Sequence, residues 1–132
     1  MTEKNKIAKS ILIKAGAAKV WDVLTGPAYA KTLGNEFDKN AFLESDWQPG
    51  SPVHFKYESG KIVATGIITD YKLHSRIFME YKDINYTDSY SLQEKNGTTN
   101  LSIASGPYPD DYNEQLEVWD KWLLKVKQLS EA

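Results

Sequence analysis

The sequence predicts an α+β fold in which an antiparallel sheet of six to seven strands wraps a long C-terminal helix, with one or two short helices after the first strand. Three observations predict it. Apolar residues from Asp111 to Ser130 recur at the spacing of one helix face, the period falls to two beyond Phe42, and turn residues break that second run into consecutive hairpins. A meander that is apolar on one face only needs a single cover, and the last helix is the only element long enough to supply it.

Taken in order, Lys6 to Lys14 holds Ile7, Ile11, Leu12 and Ile13, a β-branched run that reads as a strand. Lys9 interrupts its apolar face, which suits an edge position. Ala17 to Leu24 switches to helical spacing with Val20, Val23 and Leu24 on one side, and Gly26-Pro27 stops it. From Ala28 to Ala41 the chain is polar with scattered Leu33 and Phe37, and reads as a short irregular helix or a loop.

Gln48-Pro49-Gly50 is then a turn, after which Val53, Phe55 and Tyr57 form one apolar face. Ser59-Gly60 closes a hairpin. Counting across it sets Tyr57 near Ile62 and Phe55 near Ala64, with Ile62, Ala64, Gly66 and Ile68 inward. After the His74-Ser75 turn, Ile77, Met79 and Tyr81 alternate with polar residues, and a further strand runs from Thr87 to Glu94. Asn96-Gly97 is the strongest hairpin signal in the chain. A two-residue turn there pairs Leu92 with Leu101, Tyr90 with Ile103 and Asp88 with Ser105, all on one side of the sheet.

In the last stretch Tyr112, Leu116, Trp119, Leu123 and Val126 follow steps of four, three, four and three, widened by Trp122 and Leu129. Asp110 or Asp111 suits the N-cap, with Glu114 placed for a capping box. Acids open the helix and Lys121, Lys125 and Lys127 close it, as the macrodipole favours. Twenty residues at about 1.5 Å each make a rod of roughly 30 Å, the width of a small domain.

With 132 residues and no Cys, the chain reads as one domain, residues 1–132, without disulfides or thiolate chemistry. The opening MTEKNK has no apolar run to serve as a secretion signal, and no stretch approaches the roughly 18 apolar residues of a membrane span. A soluble, cytoplasmic protein is expected. Sixteen basic and eighteen acidic residues are interspersed, which gives no field suited to nucleic acid or an anionic membrane. Eight Tyr and four Trp exceed what filling a small core needs, and these side chains line pockets and interfaces.

Several strings carry a resemblance: Ser10-Ile11-Leu12-Ile13-Lys14-Ala15, then Lys19-Val20-Trp21, Trp47-Gln48-Pro49-Gly50-Ser51, Asn96-Gly97-Thr98-Thr99-Asn100-Leu101, and Trp119 with Leu123, Val126 and Lys127. In this order the chain resembles the START-like, helix-grip superfamily abbreviated SRPBCC, and within it the branch named after activators of the heat-shock-protein-90 ATPase. It departs from that pattern in having no Trp between Thr32 and Phe37, and Val118 where a Gly often precedes the final-helix Trp. The resemblance implies a curved sheet gripping the C-terminal helix over a deep apolar cavity. Functions across the superfamily range over lipid and hormone carriage, polyketide cyclisation and chaperone stimulation.

The inward faces converge on Phe55, Tyr57, Met79, Tyr81, Tyr90, Trp119 and Trp122. For any one of them core packing is the simpler reading; as a group, the number of Tyr favours a ligand-binding lining, with Asp88 and Ser105 as polar neighbours. If inward and dry, Asp88 would have a raised pKa and could serve as acid or base beside Tyr90. If it sits at the rim it is solvated, and the turn marked by Asp83 and Asn85 favours that second placement. His54 falls on the outward parity and His74 in a turn. No metal-ligand spacing, nucleophile motif or cofactor loop is present, so neither metal nor cofactor is expected. The first expectation is non-enzymatic binding of an apolar or aromatic small molecule between sheet and helix. The second is a chaperone co-regulator or other protein-interaction module, and the third a cyclase-like enzyme using Asp88 with Tyr90 or Tyr81.

Overall fold

A computed structural model describes residues 5–132, so the expectation drawn from the first residues of the chain lies mostly outside the described part. Strand β1 (Ile7–Ile13) buries Ile7 and Ile13 and leaves Leu12 in solvent, as a β-branched edge strand should. Helix α1 (Ala17–Thr25) buries Val20, Trp21, Val23 and Leu24. Its N-cap, Gly16, has no side chain to offer, and Glu94 from across the sheet accepts the orphan N–H of Ala17 at 2.7 Å. Gly26 ends α1, but Pro27 does more than stop it. Proline's fixed φ and missing N–H suit a first helical position, and Pro27 opens helix α2 (Pro27–Gly34). The Ala28 to Ala41 stretch is therefore a two-turn helix, a tight turn and the start of strand β2 (Ala41–Ser45).

The remaining strands are β3 (Pro52–Tyr57), β4 (Ile62–Lys72), β5 (Arg76–Tyr81), β6 (Tyr86–Lys95) and β7 (Thr98–Gly106), with helix α3 (Tyr112–Glu131) last. All pairings are antiparallel, in the order β1-β7-β6-β5-β4-β3-β2, so β1 and β2 are the two edges. This curled sheet around a long terminal helix is the helix-grip fold. The Asn96-Gly97 turn sets the expected register, pairing Leu92 with Leu101, Tyr90 with Ile103 and Asp88 with Ser105.

Two bulges refine the meander. Tyr57 donates its N–H to Lys61 rather than meeting Ile62, because Gly60 at φ +100° closes a three-residue loop. Lys56 then pairs with Ile62, Val63 is the extra residue, and Phe55 recovers its place opposite Ala64. Ile62 is consequently 50% exposed, not inward as simple counting has it. A second irregularity at Thr69 keeps Ile68 opposite Met79 and Tyr71 opposite Ile77, so both sides of the bulge still serve the core. Bulges bend the strand that carries them, which helps this sheet to curl.

Helix α3 packs on β1 and α1 and buries Trp119, Trp122, Leu123 and Val126, the stripe its spacing predicts. Asp111 does precede it, but its carboxylate accepts from Gln115 at 3.0 Å instead of capping a backbone N–H. At the other end, Glu131 accepts the backbone N–H of Lys14 at 2.8 Å, and Lys9 meets Asp120 at 2.8 Å along the same edge.

Candidate functional site

Between the sheet and the first half of α3 lies a cavity of about 290 Å³. Strands β3 to β6 supply Phe55, Ala64, Tyr81 and Tyr90, the turn after α2 supplies Phe37, and α3 supplies Trp119. Val63 and Ile84, each about half exposed, stand at its margin. A second space of about 150 Å³ adjoins it towards α2 and shares Phe37, Leu43, Phe55 and Tyr90 with it; Trp122 lines this second space. The rings are held edge to face. Phe37 and Trp119 have centroids 4.8 Å apart, and Trp119 and Trp122 5.0 Å, both near perpendicular.

Small residues make the room. A Cβ on Gly66 would come within 2.8 to 3.0 Å of the Tyr81 ring, so the bare backbone of β4 is what lets that ring lie against the sheet.

The cavity has one polar wall. Ser105 Oγ, Tyr86 Oη and Tyr108 Oη lie within 2.5 to 2.7 Å of one another. Trp119 Nε1 donates to Tyr108 at 3.0 Å, and Ser105 donates to Asp88 Oδ1 at 2.5 Å. An indole N–H can only donate and a carboxylate only accepts, so the network has a fixed donor at the helix and an acceptor at Asp88. No Lys, Arg or His lines this cavity, and no ion pair involves Asp88 among the described residues.

Asp88 is 8% exposed, which corrects the solvated-rim placement. The turn at Lys82–Ile84 does lie nearby, but Tyr86, Ser105 and Tyr108 gather around the carboxyl. Burial pushes its pKa up to about 7, against the hydrogen bonds from Ser105 and Tyr86 that favour the charged form. Burial also raises the phenols of Tyr81, Tyr86, Tyr90 and Tyr108, and the Asp88 charge raises them further. All four are neutral donors at physiological pH, beside a carboxyl that can give or take a proton there.

A pH dependence of stability follows. The folded pKa of Asp88, about 7, exceeds the ordinary value of 3.8. Between those two values the folded chain keeps a proton that the unfolded chain has lost, so stability falls as pH rises. The contribution is complete below the unfolded pKa and gone above the folded one. Moving from pH 8 to pH 5 should therefore raise the unfolding free energy by about 2–3 kcal/mol. Asp88→Asn should flatten that profile, measured by urea unfolding at both pH values. Asp70 and Glu131, held below the usual carboxylate range by Arg76 and Lys127, act with the opposite sign, and only in more acidic solution.

Of the residues singled out from sequence, Phe55, Tyr81, Asp88, Tyr90, Trp119 and Trp122 line the two spaces, and Ser105 stands behind Asp88. Tyr57 does not. The three-residue loop shifts its register, and its hydroxyl donates to Asp38. Met79 is fully buried opposite Asp88 on β5 and does not line either space. Sequence reasoning missed Tyr86, Tyr108 and Phe37. Tyr86 shares the parity of Asp88 and Tyr90, so beginning β6 one residue earlier would have found it. His54 bonds Thr65 on the outer side and His74 meets Trp21 edge to face, away from the cavity. Among the described residues no group of three acids or histidines could hold a metal, and no helix is long and apolar enough to cross a membrane.

A family model described as Activator of Hsp90 ATPase homolog 1-like protein matches residues 14–131. None of the curated proteins matches the sequence significantly. Among solved structures, protein CV1439 from Chromobacterium violaceum aligns with a TM-score of 0.74 at 19% identity, covering 97% of this chain and 99% of that one. The Aha1 dimer from Colwellia psychrerythraea aligns at 0.73 and 17% identity, covering 96% of each chain. A conserved protein of unknown function from Enterococcus faecalis, EF2215, aligns at 0.75 and 18% identity, with 96% of this chain and 71% of that one covered. These likenesses establish the fold, and the match over residues 14–131 establishes the kinship: the chain belongs to the family of Activator of Hsp90 ATPase homolog 1-like proteins.

Proposed function

We propose that this chain acts as one domain that binds an apolar or aromatic small molecule in the cavity between the sheet and α3, without converting it. The observation that carries this reading is the unfilled space of about 290 Å³ beside Trp119, walled by rings and closed on one side by hydroxyls. A cavity of about 150 Å³ suffices for one benzene ring, so this space of about 290 Å³ and the adjoining one of about 150 Å³ have room for about three rings. Side chains chosen only to fill a core would have closed it.

The neutral fluorophore N-phenyl-1-naphthylamine tests the reading. Saturable fluorescence enhancement at one probe per chain is expected, abolished in Ala64→Phe, whose added ring projects from the cavity wall into the empty volume. No saturable signal, or a signal indifferent to Ala64→Phe in a variant that still unfolds cooperatively, would sink it. Native mass spectrometry of the protein from its own host would then identify what occupies the site.

A second reading, stimulation of a chaperone ATPase, draws support from the family and from outward Ile62, Ile67 and Phe78, which are 50%, 43% and 43% exposed. It requires measurable stimulation of a heat-shock-protein-90 ATPase, and no effect at saturating protein would remove it.

A further inference from the structure

We infer that the occupant of this cavity is a cation: an arylalkyl amine whose ammonium group seats against Asp88 while its rings lie among Tyr81, Tyr90 and Trp119. The inference rests on the small-molecule reading and narrows it to a chemical class.

Among the described residues, the only charged side chains on the cavity wall are Asp38 and Asp88, both acids, and Asp38 is already engaged by the hydroxyl of Tyr57. Asp88 accepts from Ser105 and has no cationic partner among the described residues. A buried carboxylate of that kind is costly when the site is empty, and the cost is offset when a cation is brought to it. The groups facing Asp88 are Tyr86 and Tyr90 on its own strand, Tyr81 from β5, and Ser105 and Tyr108 from β7 and beyond. None of them can carry positive charge. Their hydroxyl oxygens can accept from an ammonium N–H, and the tyrosine ring faces attract cations, so both features of the wall suit an ammonium guest. A carboxylate guest would meet Asp88 with the same sign of charge and no base to neutralise it.

Three probes of one shape separate the possibilities: 1-naphthylmethylamine, protonated at neutral pH, 1-naphthalenemethanol, a neutral donor, and 1-naphthoate, an anion. Titrated at pH 8 by displacement of N-phenyl-1-naphthylamine, the amine should bind at least about tenfold more tightly than the alcohol, which corresponds to 1.4 kcal/mol, and the naphthoate more weakly than either. The preference for amine over alcohol should shrink at pH 5, where Asp88 is protonated, and vanish in Asp88→Asn while alcohol binding persists. Naphthoate binding as tightly as the amine, or an amine preference unchanged at pH 5 and in Asp88→Asn, overturns the inference and leaves the small-molecule reading standing. Failure of all three probes and of the fluorophore itself overturns both. The wild-type comparisons at two pH values decide the matter even if Asp88→Asn does not fold.

Discussion

Trp119→Ala should cost about 3–5 kcal/mol of stability, the range for emptying a fully buried Trp site, in a fold whose total is about 5–15 kcal/mol. Trp119 is 1% exposed and stands at the junction of everything the C-terminal helix organises. Its ring meets Phe37 and Trp122, and its N–H is the fixed donor of the hydroxyl network through Tyr108. Trp119→Phe separates these roles. It keeps a ring between Phe37 and Trp122 and removes the donor, so the expected loss is about 1–2 kcal/mol, a hydrogen bond plus a small volume deficit. Urea unfolding followed by circular dichroism measures both. If the Phe variant were as unstable as the Ala variant, the indole N–H and not the packing would be holding the helix in place.

The elements that could be read from sequence are those whose signals are local. Asn96-Gly97 takes up positive φ at both residues, and this two-residue turn dictates β6–β7 pairing as far as Thr87 opposite Gly106. Helix α3 was legible because its stripe is continuous over twenty residues and is buried as a stripe. The slip at Tyr57 has a physical cause of the same scale. A loop of three residues and a loop of two differ by one pairing step, which reverses the face of every residue until a bulge restores it. Here the bulge at Val63 restores it after a single pair, so Ile62 and Tyr57 are the casualties while Phe55 and Ala64 are not.

The candidate site was legible only along its strands. Tyr81, Asp88 and Tyr90 alternate on β5 and β6, so parity alone turned them inward. Parity says nothing about what covers a strand end, and the burial of Asp88 depends on Tyr108. That residue lies between Pro107 and Pro109, where no period exists to orient it. Once Tyr108 is in place, the same aspartate that would be an ordinary rim carboxylate becomes a buried acid among hydroxyls. Chemistry at this site therefore arises from a segment with no regular structure closing over one that has it.

Phe37 reached the cavity by a similarly non-local route, and Gly34→Ala tests it. Helix propensity alone favours this change by about 1 kcal/mol, and the structure predicts the opposite sign. A Cβ at Gly34 would fall 1.9 Å from the carbonyl oxygen of Ala41 and 2.6 Å from the Cα of Phe42. These are backbone atoms of β2, which no rotamer change can move. Helix α2 must then part from the strand, at an expected net cost of about 3 kcal/mol or more. The carbonyl of Gly34 also accepts the N–H groups of Phe37 and Asp38, at 3.0 and 3.1 Å, so the turn that aims Phe37 at Trp119 is anchored on the residue being changed. Weaker fluorophore binding should accompany the lost stability, because Phe37 and Leu43 flank both spaces. A Gly34→Ala protein as stable as the parent, or more so, would mean that α2 and β2 are not held by this close approach. The wall of the cavity on that side would then owe its shape to the rings alone.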